Sequence, residues 1–534
     1  MRADGAREGL RQAMAWLHTW VGLLLGWLLF AIFLTGTLAF FKQELNQWSR
    51  PELLAHGPTG ALDAAQLARA EARLHELAPA AQSWRLNAAD ERRPLAQLSW
   101  REAGKPGQRA RTEQRWLDPE SGAALQARST FGIGEFFYRF HFELRSAQQS
   151  RWILEGRWAI GLATLFMFVA LLSGIVTHRR FFKDFFTFRP RAKAAQRAWL
   201  DAHNISGVLV LPFYLMITFS GLMIFHTLYM PAGIAAVYGA KGGSYFNELA
   251  GDPLPRGRGL NAKPGEGQVL PQVGEARWQA LLAEVRREWP QGRIEVVALL
   301  REGGQTLVEF GRHEGDRLQY RSPRLLFDAA SGQRQHLADT AAPAARSYGV
   351  LYGLHMARFA DLPLRWLLFG FGLLGSAMIA TGLLLWSVKR AADDERRRRA
   401  RPFGRRLVDT LNLTAIAGLP LAIAAIFYAN RLLPLELAER PDWELKCFYL
   451  AWGASLLLAA ALPDRRGWRA LFGLAALAFA GLALGFAGPW PIQASLGAAA
   501  LLLGGLAWRC GPCPTGEKKK AAGGTTTPLS AEGA

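Results

Sequence analysis

Ten histidines occur in the chain, and six of them sit at or beside the ends of long apolar runs. His18 opens "WLHTWVGLLLG" and His203 opens "DAHNISGVLV", and each is followed four residues later by a glycine, Gly22 and Gly207. His178 closes "SGIVTH", and His226 closes the apolar run that His203 begins. His141, in "FFYRFHFELR", and His355, in "LYGLHMARFADLPLRW", stand just ahead of two more such runs. Ionisable side chains at membrane depth are costly, and function is the usual reason that they are kept. Neutral imidazoles offered in twos at two levels suit the iron of a haem, which takes one ring nitrogen from each side. The macrocycle is broad and flat, so a ligand helix must stay slim beside it, and a glycine at i+4 removes bulk on the ligand's own face. By depth, His18, His178 and His203 lie at one face, and His141, His226 and His355 toward the other. A single interfacial histidine is ordinarily an anchor reaching toward the headgroups. Six at two matched levels call for more than that, and a zinc or copper site would want carboxylates or thiols alongside.

The elements that must carry these residues are membrane helices. The chain of 534 residues is half hydrophobic with a formal net charge of +20, and stretches of about 20 residues nearly free of charge cross a hydrocarbon core of ~30 Å at ~1.5 Å per residue. Spans are expected at 16–41, 158–178, 203–226, 366–388, 407–428, 446–462, 469–487 and 493–508. The basic excess lies in short loops, "HRRFFKDFFTFRPRAKAAQR", "KRAADDERRRRARPFGRR" and "DRRGWR", all on one side if every span is crossed. That pattern marks the cytoplasmic side and orients the protein; it is not read as a nucleic-acid surface. The first span lacks a small-residue cleavage site after it and is taken as retained. Cys447, Cys510 and Cys513 are the only cysteines, none of them in the large polar segments, so no disulfide framework is expected there. The C-x-x-C of Cys510 and Cys513 stands without a second pair, and we read it as incidental.

Internal repetition organises the rest. His18 precedes Gly36 by the same interval that separates His203 from Gly221, and Arg157-Trp158 leads to Ser173-Gly174 as Arg365-Trp366 leads to Thr381-Gly382. His178 then corresponds to Trp386. The polar segments repeat more loosely, each a 3.6-period helix, strand-like residues and a turn, "LDPESG" or "FDAASG". The expected fold is a polytopic α-helical membrane protein: a four-helix haem-binding core from two tandem repeats, two small external α+β domains, and a C-terminal helical bundle. The divisions are 1–41, a first helix; 42–157, external domain 1; 158–226, helices 2 and 3 with their basic loop; 227–365, external domain 2; 366–390, helix 4; 391–406, a basic linker; 407–508, a four-helix bundle; and 509–534, a tail. The bundle has no histidine, and its buried polar candidates are Asn412, Thr414 and Asn430.

The strings "SGIVTHRRFFKDFFTFRP", "QRAWLDAHNISGVLVLPFYLMITFSGL" and "LHMARFADLPLRWLLFGFGLLGSAMIATGLLLW" resemble the PepSY-associated transmembrane-helix proteins over about residues 10–390. These are iron-regulated inner-membrane proteins of Gram-negative bacteria, and some reduce ferric siderophores in the periplasm with two b-type haems. The resemblance implies a bacterial inner-membrane reductase with two haem b groups, bound by two of His18, His178 and His203 and two of His141, His226 and His355. It implies a ferric siderophore as substrate and a cytoplasmic or quinol electron donor as partner. Repeat symmetry favours His18 with His203 and His141 with His355, while His178 has no repeat counterpart. Arg179, Arg180, Arg139 and Arg358 are placed to meet haem propionates, and Trp84, Trp100 and Trp116 offer aromatic surface to a chelate. The family often carries histidine where this chain has Tyr214, and the helices beyond residue 390 extend past its four-span core. A haem-free regulator of a protease or sensor and a transporter of the chelate are the competing expectations.

Overall fold

The computed structural model describes residues 9–79, 81, 83–101, 112–144, 155–178, 189, 195–239, 245, 249, 270–302, 305–335 and 342–510. Seven helices within these residues are long and apolar enough to cross a membrane: α1 (Leu10–Ala39), α5 (Gly156–Thr177), α10 (Leu362–Arg396), α11 (Phe403–Leu432), α12 (Arg440–Ala461), α13 (Arg465–Gly485) and α14 (Trp490–Arg509). This is a multi-pass membrane protein, with the family of spans that the apolar runs predict. The third expected span differs. It is a broken pair, α6 (Ala195–Leu209) and α7 (Leu211–Ile224), bent by 69°. Pro212 sits in the first turn of α7, where its missing N–H and fixed φ start a new helix rather than continue the old one. A straight helical path of roughly 34 Å from His203 to His226, expected from 1.5 Å per residue, is therefore corrected: the two histidines lie on differently directed segments.

On one side of these helices lies a layer of mixed structure. It contains α2 (Lys42–Trp48), α3 (Ala64–Leu77), β1 (Ser83–Asn87), β2 (Gln97–Arg101), β3 (Thr112–Leu117), β4 (Ala124–Leu125) and α4 (Ile133–Glu143). From the second polar segment come α8 (Glu275–Glu288), β5 (Ile294–Glu302), β6 (Gln305–Arg312), β7 (Arg324–Asp328), β8 (Arg334–Gln335) and α9 (Pro343–Met356). The strands of both segments form a single antiparallel sheet in the order β4-β3-β2-β1-β5-β6-β7-β8. The seam is β1 on β5, with Ser83 opposite Leu300 and Asn87 opposite Val296. Alternation explains one face: Trp84, Leu86, Leu98, Trp100, Val297, Leu299, Val308 and Phe310 are buried beneath α3 and α8. Burying that face is what fixes strand register, since a slip of one residue would turn all of it outward. Glu71 of α3 ties the halves further, accepting from the backbone N–H groups of Val273 and Gly274 at 2.8 and 3.2 Å and from Trp278 Nε1 at 3.2 Å.

A charged cluster closes one end of the seam. Asp90 pairs with Arg93, Arg93 reaches Glu295 at 2.7 Å, and His313 Nε2 donates to Asp90 at 3.3 Å. Burial disfavours the charge on Asp90, but the hydrogen bond from His313 and the adjacent Arg93 guanidinium outweigh it and hold the carboxyl well below the usual carboxylate range. A carboxylate depressed in the folded state stabilises that state at every pH above its unfolded value, about 3.9, and the contribution disappears as pH falls toward the folded value. The denaturation midpoint of the sheet layer is thus expected to hold from pH 7 to about 4 and to drop below that. Asp90→Asn should lower the neutral-pH midpoint and flatten the acid limb; an unchanged acid limb would remove Asp90 from the account.

The C-terminal helices α11 to α14 pack onto the membrane helices, sharing one apolar cluster with α1, α4, α5 and α10. A π-helical turn, Thr414–Gly418, interrupts α11, and Asn412 just before it accepts from Trp27 Nε1 of α1 at 2.7 Å. Asn430 is fully buried. Cys510 is a free thiol, and Cys513 lies outside the described residues.

Candidate functional site

Four of the six histidines come together as two pairs. His18 of α1 and His203 of α6 face each other with ring centroids 6.0 Å apart and planes at 65°. His141 of α4 and His355 of α9 do the same at 6.1 Å and 32°. Two imidazoles on opposite sides of one metal, with bonds of ~2.0 Å and ring centres ~1.1 Å behind the nitrogens, place their centroids roughly 6.2 Å apart. The separations match that arrangement at both levels. Edge-to-face ring pairs also lie about 4.5–7 Å apart, so the separation admits a metal between the rings without requiring one.

Every ring is held by its Nδ1. His18 donates to Ala170 O at 2.8 Å, His203 to Met378 O at 2.9 Å and His141 to Ile32 O at 2.9 Å. A carbonyl only accepts, so Nδ1 carries the proton and the Nε2 lone pair remains for a metal. His355 Nδ1 lies 3.0 Å from Ser220 Oγ. That hydroxyl already donates to Met216 O at 2.7 Å, so His355 is the donor and shows the same tautomer. An outer hydrogen bond of this kind orients a ligand ring and raises its basicity.

The rings lie in slots cut by glycines of the neighbouring helix. A Cβ at Gly174 would meet His18 Cε1 at 3.2 Å, one at Gly382 would meet His203 Cε1 at 3.0 Å, one at Gly36 would meet the His141 ring at 2.6 Å, and one at Gly221 would meet His355 Cε1 at 3.2 Å. The sequence had marked these four glycines only as repeat positions. Their steric use follows from helix pairing, which brings each beside a histidine of another element. Gly22 and Gly207, expected to clear space on the ligands' own helices, behave differently from one another. A Cβ at Gly22 would meet nothing within 4 Å, whereas one at Gly207 would meet Met378 Sδ at 3.3 Å.

The remaining candidates fall outside the pairs. His178 caps the end of α5, its backbone N–H bonded to Gly174 O at 3.1 Å, so it sits one turn from the slot that holds His18. His226 donates from Nδ1 to Met223 O at 2.8 Å, its Nε2 is bonded to the Tyr245 hydroxyl, and its ring packs on Tyr348 at 5.0 Å. Both its nitrogens are engaged within the protein. Arg139 is paired with Glu135 at 2.8 Å and Glu143 at 3.2 Å. Arg358 is paired with Glu314 and lies 5.1 Å over Tyr320. Arg179 and Arg180 lie outside the described residues. Trp84 and Trp100 belong to the sheet core, and Trp116 receives the Arg50 guanidinium at 4.8 Å; the first two therefore offer no surface.

A cavity of about 660 Å³ opens at the His141–His355 pair, within the range of pockets for cofactors and drug-sized ligands. Gly36 and Gly221 line it, together with Tyr138, Tyr348, Arg157 and Arg321. Arg157 was marked in the sequence only as the repeat counterpart of Arg365, and it pairs with Glu143 at 3.1 Å; Arg321 had no signal there. Between the two levels lies Tyr214, fully buried, donating to Ser206 O at 2.9 Å and edge-on to Phe33 at 6.2 Å. Among the described residues no three His, Cys, Asp or Glu side chains gather as a metal-binding group. Two imidazoles alone would leave a metal short of ligands, so this donor set would suit a planar macrocycle that brings the others itself.

Comparison with known proteins places these features in context. The family model for the PepSY-associated TM region matches residues 15–389, the stretch that contains both histidine pairs and the sheet. An uncharacterized protein of Pseudomonas aeruginosa is 29% identical over 360 residues, covering 64% of this chain and 85% of its own length.

Proposed function

The chain belongs to the PepSY-associated TM region family, and from that premise we propose that it is a haem-containing reductase of the bacterial inner membrane that delivers electrons to ferric siderophores in the periplasm. The reading rests above all on the two imidazole pairs with centroids 6.0 and 6.1 Å apart, each ring fixed in the tautomer that leaves Nε2 to a metal. His18 with His203 would hold one haem b toward the cytoplasm, and His141 with His355 the other toward the periplasm. Haem bound at both levels supplies one-electron transfer through its iron.

The chain's own residues do the rest. The Nδ1 bonds to Ala170, Met378, Ile32 and Ser220 keep the rings from turning and set their donor strength. The glycine slots admit the rings at their required depth. On α1, His18 and the Gly36 slot are about 27 Å apart at ~1.5 Å per residue, so the two levels span most of the hydrocarbon core. Phe33 and Tyr214 fill the interval with apolar material that excludes water and ions. Arg157, paired with Glu143 at 3.1 Å, and Arg321 lie on the cavity wall, where a guanidinium can meet haem carboxylates or an anionic chelate at the mouth. Loss of one positive charge from the ferric ion loosens hard oxygen ligands, which prefer the higher charge; a one-electron step is therefore enough to release siderophore iron. The donor would be a cytoplasmic reductant or a membrane quinol meeting the His18–His203 level.

Purified protein is expected to carry two haems per chain, to show a Soret band that shifts with dithionite, and to reoxidise on addition of a ferric siderophore. A colourless preparation from haem-replete cells would end this reading. A coloured protein that never passes electrons to ferric chelates would end the reductase part of it, and uptake of intact labelled chelate into proteoliposomes would point to transport instead.

A further inference from the structure

The family match ends at residue 389, yet the helices beyond it reach back to the element that carries His141. The loop ahead of α4 is gripped from the C-terminal bundle. Arg440 Nη1 donates to Ser129 O at 2.8 Å, and Thr130 Oγ1 donates to Glu444 Oε2 at 2.6 Å. Asn430 Nδ2 reaches Thr130 Oγ1 at 3.1 Å and Glu444 Oε1 at 2.9 Å. Arg440 and Glu444 form an ion pair at 2.6 Å with side chains 0% and 1% exposed. A buried pair of this kind is weak evidence for stability but is suited to fixing one geometry, because each partner must find its counterpart or be left charged in an apolar setting.

The same C-terminal helix, α12, also packs along α4. Phe448 lies 4.8 Å from Phe136 and 5.7 Å from Phe140, the residue before His141. From this face α4 is pressed toward α1, where His141 meets Ile32 O and the Gly36 slot. The start of α4 is fixed in the same sense from α2: Glu135 N donates to Asn46 Oδ1 at 3.0 Å. His355, on α9, is anchored instead by Ser220 of α7.

We propose that one end of the C-terminal bundle is a brace for the His141–His355 pair, and that Arg440, Glu444 and Phe448 are positioning residues that set the depth and tilt of α4 and so of His141; the bundle meets α1 and α10 separately, through Asn412. The proposal rests on the haem reading above for its consequence, and on the hydrogen-bond network alone for its mechanism. It assigns the bundle a role that the histidine-free sequence of residues 407–508 does not suggest.

The full-length protein carrying Arg440→Met together with Glu444→Leu, which removes both charges and keeps bulk, tests it beside wild type, His141→Ala and His18→Ala. Haem per chain should fall from two toward one, with a reduced-minus-oxidised spectrum matching that of His141→Ala, while amide exchange across residues 133–143 accelerates at least tenfold. Phe448→Ala, which keeps the ion pair, should retain two haems but shift the absorption band and midpoint potential of the His141–His355 haem alone. Retention of both wild-type spectra, or equal loss of both haems, would overturn the brace. A haem-free wild type whose α4 amides still exchange faster in the double variant would uphold the brace and remove the haem reading, so the two fail separately.

Discussion

Alanine at His355 or His141 is expected to leave a protein with one haem whose spectrum equals that of the intact His18–His203 site. Alanine at His18 or His203 is expected to leave the complementary spectrum. On the proposed reading each of the four changes removes one ring of a pair whose centroids lie 6.0 or 6.1 Å apart, and a ring cannot be replaced from the same helix without moving the Nδ1 anchor. Outer-shell changes alone cost 10–100-fold in such sites, so loss of the ligand itself should reduce chelate reduction by on the order of 100-fold or more, equivalent to about 2.7 kcal/mol. His226→Ala and His178→Ala should keep two haems, because His226 spends both nitrogens on Met223 and Tyr245 and His178 ends α5 outside either pair. If His178→Ala removes a haem while His18→Ala does not, the pairing drawn here is wrong.

The second large effect comes from the slots. Gly36→Ala places a methyl group 2.6 Å from the His141 ring, a separation that forces the ring or the helix to move. The ring is pinned on its other edge by Ile32 O, so the expected result is displacement of His141 from the iron and loss of the periplasmic-side haem. Gly382→Val should act on His203 in the same way at the other level, where an added Cβ alone would stand 3.0 Å from the ring. Gly22→Ala is the control: its added carbon meets nothing within 4 Å, and both haems should remain. Overpacking of this sort typically costs 1–3 kcal/mol, enough to empty a site while leaving the fold. Difference spectra of the three variants decide it, and equal haem content in Gly36→Ala and Gly22→Ala would refute the slot argument.

Much of this was legible before coordinates. Charge-free runs gave the helices, since the bilayer fixes their length, and the matched intervals from His18 to Gly36 and from His203 to Gly221 singled out the histidines that the fold then brings together. What stayed hidden depends on contacts distant in sequence. The partner of Gly174 is on α1 and that of Gly382 on α6, so no local spacing tells that these glycines hold rings. The bend between α6 and α7 had its signal in Pro212, but an unbroken hydropathy run concealed it. The arginines chosen for propionates were judged by depth alone, and Arg139 and Arg358 turn out to be committed to carboxylates. The fusion of the polar segments into one sheet, and the grip of Arg440 on Ser129, join residues more than 200 and 300 positions apart. Pattern reading along a chain has no access to such pairings.

The seam between β1 and β5 has one more consequence. Five rungs of antiparallel pairing lash the two halves of the membrane core together above the bilayer, like a lintel over two posts. A carrier that exposes its cargo first to one side and then to the other must rock such halves against each other, and doing so here would shear those rungs. The architecture favours two halves that stay fixed against each other.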